Sequence, residues 1–349
     1  LISSFGVKYI QWAVVLAGFI VGIPMFYSVG FVILIPLVFT VAASSGLPLI
    51  YVGLPMLASL SVTHGFLPPH PAPTAISSMF NADIGKTLLY GIIIAIPAIV
   101  IAGPLFTRTI KNINATPLKE FYNPIILKDE EMPGMGVSVF TALLPVILII
   151  FSSIFTIIYQ GDSLTKDIIV FIGNPVIAML ISVLVAIYTL GLSRGKKMEE
   201  LMNSVATSVS SITMVLLIIS GAGALKQILI DSGVSDYIGA LLHGSQISPL
   251  ILAWLIATII RVCVGSATVA GLTAAGIVLP LISNSDVSPE LMVLAIGSGS
   301  LMLSHVNDAG FWMFKEYFNL TVRETLSTWT VTVSYTHLRA HETLMNLVC

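Results

Sequence analysis

The sequence predicts an all-α polytopic membrane protein. It is built as two repeats, inverted relative to each other, each with a broken helix and, in the second half, a re-entrant hairpin. Three observations lead there. The 349 residues are 56% hydrophobic and only 9% charged, with mean hydropathy +1.00, a balance foreign to soluble domains of this size. Apolar runs long enough to span a bilayer recur along the chain. The third observation is a costly stretch that occurs twice.

The first copy is His64-Gly65-Phe66-Leu67-Pro68-Pro69-His70-Pro71-Ala72-Pro73-Thr74-Ala75, directly after the apolar run 49–62. Proline removes a backbone donor and clashes with the preceding turn. Such breaks survive in lipid only where protein or a water-filled cavity covers the backbone. The second copy ends another apolar run at His305, 241 residues after His64. At that offset Gly30 falls on Gly271, Pro48 on Pro289, Ser59 on Ser300 and Thr63 on Ser304. After a shift of three residues, Phe80-Asn81 falls on Phe318-Asn319 and Thr87-Leu88 on Thr325-Leu326. A duplicated unit with an interrupted helix in each half points to a secondary transporter with its site between the halves.

In chain order, residues 1–106 form the first repeat. Residues 10–21 are apolar, 22–30 interrupt with glycine and proline, and 31–43 resume, which reads as one broken helix or two short ones. Asn81-Ala82-Asp83 reads as a cap before the span 84–106. Residues 107–136 are the longest polar segment, a loop holding Arg108, Lys111, Lys119 and Lys128. Residues 137–202 hold two connecting spans, 137–159 and 168–192, and a basic loop with Arg194, Lys196 and Lys197. The two basic segments lie on the same side, and their charge makes that side cytoplasmic. Residues 203–332 form the second repeat. It opens with an apolar run and Gly221-Ala222-Gly223, read as a re-entrant hairpin, and continues with a helix broken at Gly265. An apolar helix beginning at 320 stops after about a dozen residues, short of a span. Residues 333–349 are polar and resemble a translated sequencing-adapter tail. They are expected to be non-native, so that His337, His341 and Cys349 carry no function. The chain starts without methionine and reads as the middle of a longer protein.

A net charge of −2 points to no nucleic-acid partner. Two cysteines, one of them terminal, make no disulfide framework. The sequence has no metal-ligand spacing, nucleotide loop or Ser/His/Asp triad, so neither an enzyme nor an ATP-driven pump is indicated, and no cofactor is expected.

The most informative charge is Arg261, a dozen residues into an apolar helix and four before Gly265. A charge at that depth costs a few kcal/mol, and it either snorkels to the surface or clamps a carboxylate bidentately. Asp308 is its candidate counter-ion. Gly265-Ser266-Ala267-Thr268 places backbone N–H groups and two hydroxyls at a restarting helix, an arrangement that attracts anions. Ser28, beside Tyr27, holds the matching place in the first half, and Asn307 is a further contact or a cap. His64 and His305, with Asp308, are candidates for a proton relay. Pro68, Pro69, His70, Pro71 and Gly265 define the helix breaks. For His70, holding a backbone carbonyl is the simpler role.

The stretches His64–Pro71 and Asn81 to Lys86-Thr87-Leu88, with Gly265-Ser266-Ala267-Thr268-Val269-Ala270, Ser304-His305-Val306-Asn307-Asp308 and Gly310-Phe311-Trp312, resemble the gluconate permease family across residues 1–332. D-serine permeases are among its relatives. The resemblance implies inverted halves that each pair a hairpin with a broken helix, in a fragment lacking the first hairpin and the last helix. It also implies a multi-pass bacterial inner-membrane symporter taking a small anionic sugar acid with a proton. A homo-oligomer is compatible with all of this. The family usually carries an acidic residue at the place of Ser28 and glycine at Ala72, so coupling through position 28 is in question.

Overall fold

The computed structural model describes residues 6–110, 113, 115–116, 133–159, 161, 163–211, 224, 227–228, 231–232, 247–283 and 287–348. The expected polar loop 107–136 and the expected hairpin after residue 203 lie largely outside them. The described residues form helices and turns only.

The first group of helices is α1 (Ile10–Gly22), α2 (Tyr27–Ser45), α3 (Leu49–Phe66), α4 (Pro71–Phe80) and α5 (Ile84–Val100). The interruption at residues 23–26 separates two helices, and the second of them starts inside the stretch expected to be irregular. α5 continues through a π turn, Ile101–Leu105, to Arg108. Next come α6 (Met135–Ile158), α7 (Leu164–Gly173), α8 (Pro175–Ala186) and α9 (Met198–Ser211). The second group is α10 (Pro249–Val264), α11 (Ala267–Ser283), α12 (Pro289–Gly299), α13 (Ala309–Tyr317) and α14 (Val322–Thr325). A π turn, Leu326–Thr330, leads from α14 directly into α15 (Val331–Val348).

Five described helical stretches are long and apolar enough to cross a membrane: Tyr27–Ser45, Leu49–Phe80 (α3 and α4 together), Ile84–Arg108, Gly136–Thr156 and Val176–Arg194. The expected single span 168–192 is interrupted. Asn174 accepts a hydrogen bond from Val176 N at 3.0 Å and Pro175 takes the first helical position, so a new helix starts there. The helix expected to stop a dozen residues after 320 instead runs on to Val348, and Val333 and Ala340 within it are buried.

α3 and α12 form the centre. Every residue of α3 but Tyr51 and His64 is buried, as are Met292–Gly299 of α12. A helix apolar on all sides belongs in such a position. α1 and α2 pack on α3, α10 on α12, and α4 on both α11 and α12, so the two groups interlock. α6 and α8 lie outside. Phe151, Val176, Leu180, Leu184 and Tyr188 are exposed there, as apolar side chains facing lipid would be.

The same local geometry occurs after α4 and after α13. Asn81 and Asn319 both take the left-handed conformation, φ 53° and 50°, which asparagine tolerates better than most residues. Two residues later, Asp83 accepts Lys86 N at 2.8 Å and Thr321 accepts Glu324 N at 3.2 Å. Each is an N-cap relieving an orphan donor of the next helix.

α1 approaches α3 through Gly18. A Cβ there would lie 2.4 Å from Ser59 Oγ and 2.5 Å from Met56 O. The carbonyl belongs to a buried helix and cannot swing aside. Gly18→Val should therefore destabilise the fold by roughly 2–3 kcal/mol, seen as a lowered midpoint in thermal aggregation of the solubilised protein. An unchanged midpoint would mean that α1 is not packed this closely.

Candidate functional site

Two interrupted helices meet at their breaks. α10 ends at Gly265, whose φ of +79° lets its N–H return to Arg261 O at 2.9 Å. α13 begins after Asp308, whose Oδ1 accepts Gly310 N at 2.9 Å. Arg261 joins the two ends. Its guanidinium donates to Gly265 O and to Asp308 Oδ2 and is only 2% exposed, so it does not snorkel. A cation at a helix C-terminus and an anion at a helix N-terminus each complement the local dipole.

Asp308 Oδ2 also accepts from Ser304 Oγ. Ser304 Oγ in turn accepts from Trp329 Nε1 at 2.9 Å, and Ser304 O accepts from Thr330 Oγ1 at 2.5 Å. Asn307 Nδ2 donates to Val262 O at 2.8 Å and draws the 305–308 turn onto the end of α10. The approach needs Gly265, since a Cβ there would sit 2.2 Å from Asn307 O.

These groups line a cavity of about 430 Å³. Its wall includes Arg261, Ser266, Thr268, Asn307, Asp308, Ser28, His64 and Gly265. All six residues expected to contact substrate are therefore there, contributed by both groups of helices. His305, Pro68, Pro69, His70 and Pro71 are not in the wall. His305 contributes its carbonyl to the turn, accepting Asp308 N at 2.9 Å. His70 is buried and its Nε2 lies 2.7 Å from Gly22 O, which closes the end of α1, so it serves the backbone in the simpler way. His64 packs edge-to-face on His70, ring centres 5.0 Å apart.

Sequence reasoning missed Trp329, Ser304, Leu301 and Val333 as wall residues, and gave Tyr27 no role of its own. Ser304 opens the turn that ends at Asp308, and no helical spacing in sequence marks it. Trp329 lay in a segment judged too short to span. Among the described residues no group of His, Cys, Asp and Glu could hold a metal ion.

Known proteins bear on this arrangement. The GntP family permease profile matches residues 1–347. The high-affinity gluconate transporter of Escherichia coli K12 is 54% identical over 331 residues, covering 95% of this chain and 76% of that protein. The Gnt-II system L-idonate transporter of the same organism is 51% identical, covering 95% and 75%. The gluconate permease of Bacillus subtilis 168 is 50% identical, covering 95% and 76%. Among solved structures, the YdaH transporter of Alcanivorax borkumensis, described as having an unusual topology, aligns with a TM-score of 0.66 at 16% identity, covering 98% of this chain and 78% of that one. At that identity the likeness concerns the fold alone.

The family match and the bacterial relatives named as permeases and transporters, with the apolar spans, make this a multi-pass permease of the bacterial inner membrane. The chain belongs to the GntP family of permeases.

Gly265→Ala should force the αL position, at a cost of about 1–2 kcal/mol, and push the Asn307 turn off the end of α10. Solute uptake should be lost while the protein still inserts, as checked by uptake assay and membrane fractionation. Normal uptake in this variant would mean that the two breaks need not touch.

Proposed function

We propose that the protein carries gluconate or a closely related small hydroxy-carboxylate inward by proton symport. The observation that supports it most is Arg261, buried in the wall of a cavity beside two helix ends, in a chain whose 50–54% identical relatives are named for gluconate and idonate. In this reading Arg261 binds the substrate carboxylate through its planar fork. Ser266 and Thr268, at the N-terminus of α11, and Asn307 and Ser28 hold the rest of the molecule. Asp308 and His64 handle the proton, with His305 acting from behind the turn. Ser28 cannot supply a carboxylate, so in this chain the acidic group of the site comes from Asp308.

The two helix groups act as inverted repeats around the site. Their shared turn geometry at Asn81 and Asn319 and their interlocked packing support that relation. Partners are the sugar acid, the proton and the bilayer.

Labelled gluconate uptake, with and without an uncoupler, tests the reading. Accumulation that the uncoupler abolishes is expected. Uptake indifferent to the uncoupler would remove the coupling, and a competition panel won by D-serine over every sugar acid would remove the substrate. Arg261→Lys keeps the charge but loses the fork, so the apparent KM should rise about tenfold with residual transport. Arg261→Ala should remove nearly all transport. If Arg261 served only to neutralise Asp308, the double change Arg261→Ala with Asp308→Asn would recover the uptake that each single change abolishes.

A further inference from the structure

Several polar atoms around the cavity are already bonded to protein. Asp308 has three donors, Ser304 is both donor and acceptor, and Asn307 is spent on Val262. Three buried atoms on residues of the cavity wall have no hydrogen-bond partner among the described residues: Tyr27 Oη, His64 Nδ1 and Arg261 Nε. A buried polar atom left unpaired costs about 1–3 kcal/mol, so three around one cavity call for an explanation. The proposed function uses Arg261 and His64. It leaves the Tyr27 hydroxyl idle.

Tyr27 is the first residue of α2. Its ring is held between Trp329, centroid distance 5.3 Å, and Phe31, 5.9 Å. Trp329 is in turn stacked on Phe314 at 5.5 Å, and Phe314 on Phe318 at 4.4 Å. On the open side Gly310 lies against the ring, where a Cβ would come 3.2 Å from Tyr27 Cε1 and 3.5 Å from Asp308 Oδ1. The ring is therefore fixed by packing and sits next to the α13 N-terminus. A phenol can both donate and accept, and neither capacity is used by the described residues.

We infer that Tyr27 is a specificity-determining residue whose hydroxyl bonds a hydroxyl of the substrate while Arg261 holds the carboxylate. This rests on the proposed substrate reading. The cavity then distinguishes a hydroxylated carboxylate from a plain one, because a site built to bond a hydroxyl is left with an unpaired buried group when the hydroxyl is missing. Trp329 and Gly310 act through Tyr27: one fixes the plane of its ring and the other leaves room for it.

The test is equilibrium binding to the purified full chain in lipid nanodiscs, using D-gluconate and hexanoate, which share a carboxylate and chain length but not the hydroxyls. Tyr27→Phe keeps the ring and its stacking. It should weaken D-gluconate about tenfold, the value of one buried hydrogen bond, and change hexanoate less than twofold, so that the preference between them falls by the same factor. Hexanoate binding also reports that the variant is folded. An unchanged preference, whether because neither ligand is affected or because both weaken together, would overturn the inference. Should the wild type bind D-serine rather than D-gluconate, the substrate reading falls and the ratio is taken between D-serine and D-alanine. A Tyr27→Phe variant that keeps its preference there overturns the role of Tyr27 equally.

Discussion

The fold around the site depends on one ion pair that joins the C-terminus of one helix to the N-terminus of another. α10 stops at Gly265 with a carbonyl that lacks a helical partner, and α13, from Ala309, opens with the N–H of Gly310 likewise unpaired within the helix. Arg261 donates to that carbonyl and to Asp308, and Asp308 accepts from that N–H. The orphan groups of two broken helices are thus satisfied by two side chains, away from bulk water. Breaking such a pair by removing one partner leaves a buried charge and typically costs about 3–5 kcal/mol. A carboxylate ligand changes that balance, because it can take the place of Asp308 on the guanidinium without leaving it naked.

The direction of the neighbouring hydrogen bonds is fixed by chemistry. The indole N–H of Trp329 can only donate. Ser304 therefore accepts from it and turns its own proton to Asp308, so that every group against the Asp308 carboxylate is a donor. Gly310 N belongs to the backbone, and Ser304 is pinned at its hydroxyl by Trp329 and at its carbonyl by Thr330. Arg261 alone reaches Asp308 on a long side chain that can redirect.

Much of the site was legible because lipid makes its ingredients expensive. Arg261, Asp308, Gly265 and the Ser266/Thr268 pair stand out in an apolar sequence, and the structure gathers all of them on one cavity. The histidines were less legible. His64 reaches the cavity and keeps an unbonded nitrogen, whereas His70, six residues on, is consumed by the carbonyl of Gly22. The Pro-rich turn had pointed His70 to that backbone role, but sequence did not show that of His64 and His305 only His64 enters the cavity wall. The break at Asn174-Pro175 was hidden because the flanking residues are apolar enough to read through. Trp329 was hidden because its helix appeared to end in a foreign segment, while the structure carries that helix past it.

The aromatic column explains why residues far apart in sequence determine one surface of the cavity. Tyr27 comes from the first group of helices; Trp329, Phe314 and Phe318 come from the second. Phe318 packs edge-on against Phe39, and a Cβ on Gly53 would meet it at 2.5 Å, so the column is anchored in the centre of α3. Close-packed interiors transmit displacement rather than absorb it. Any motion of α13 against α2 must therefore move Tyr27 relative to Arg261. In the proposed binding mode a ligand bridges a phenol on one group of helices and a guanidinium on the other, so its contacts depend on their relative position, as a ligand that shifts a conformational equilibrium requires.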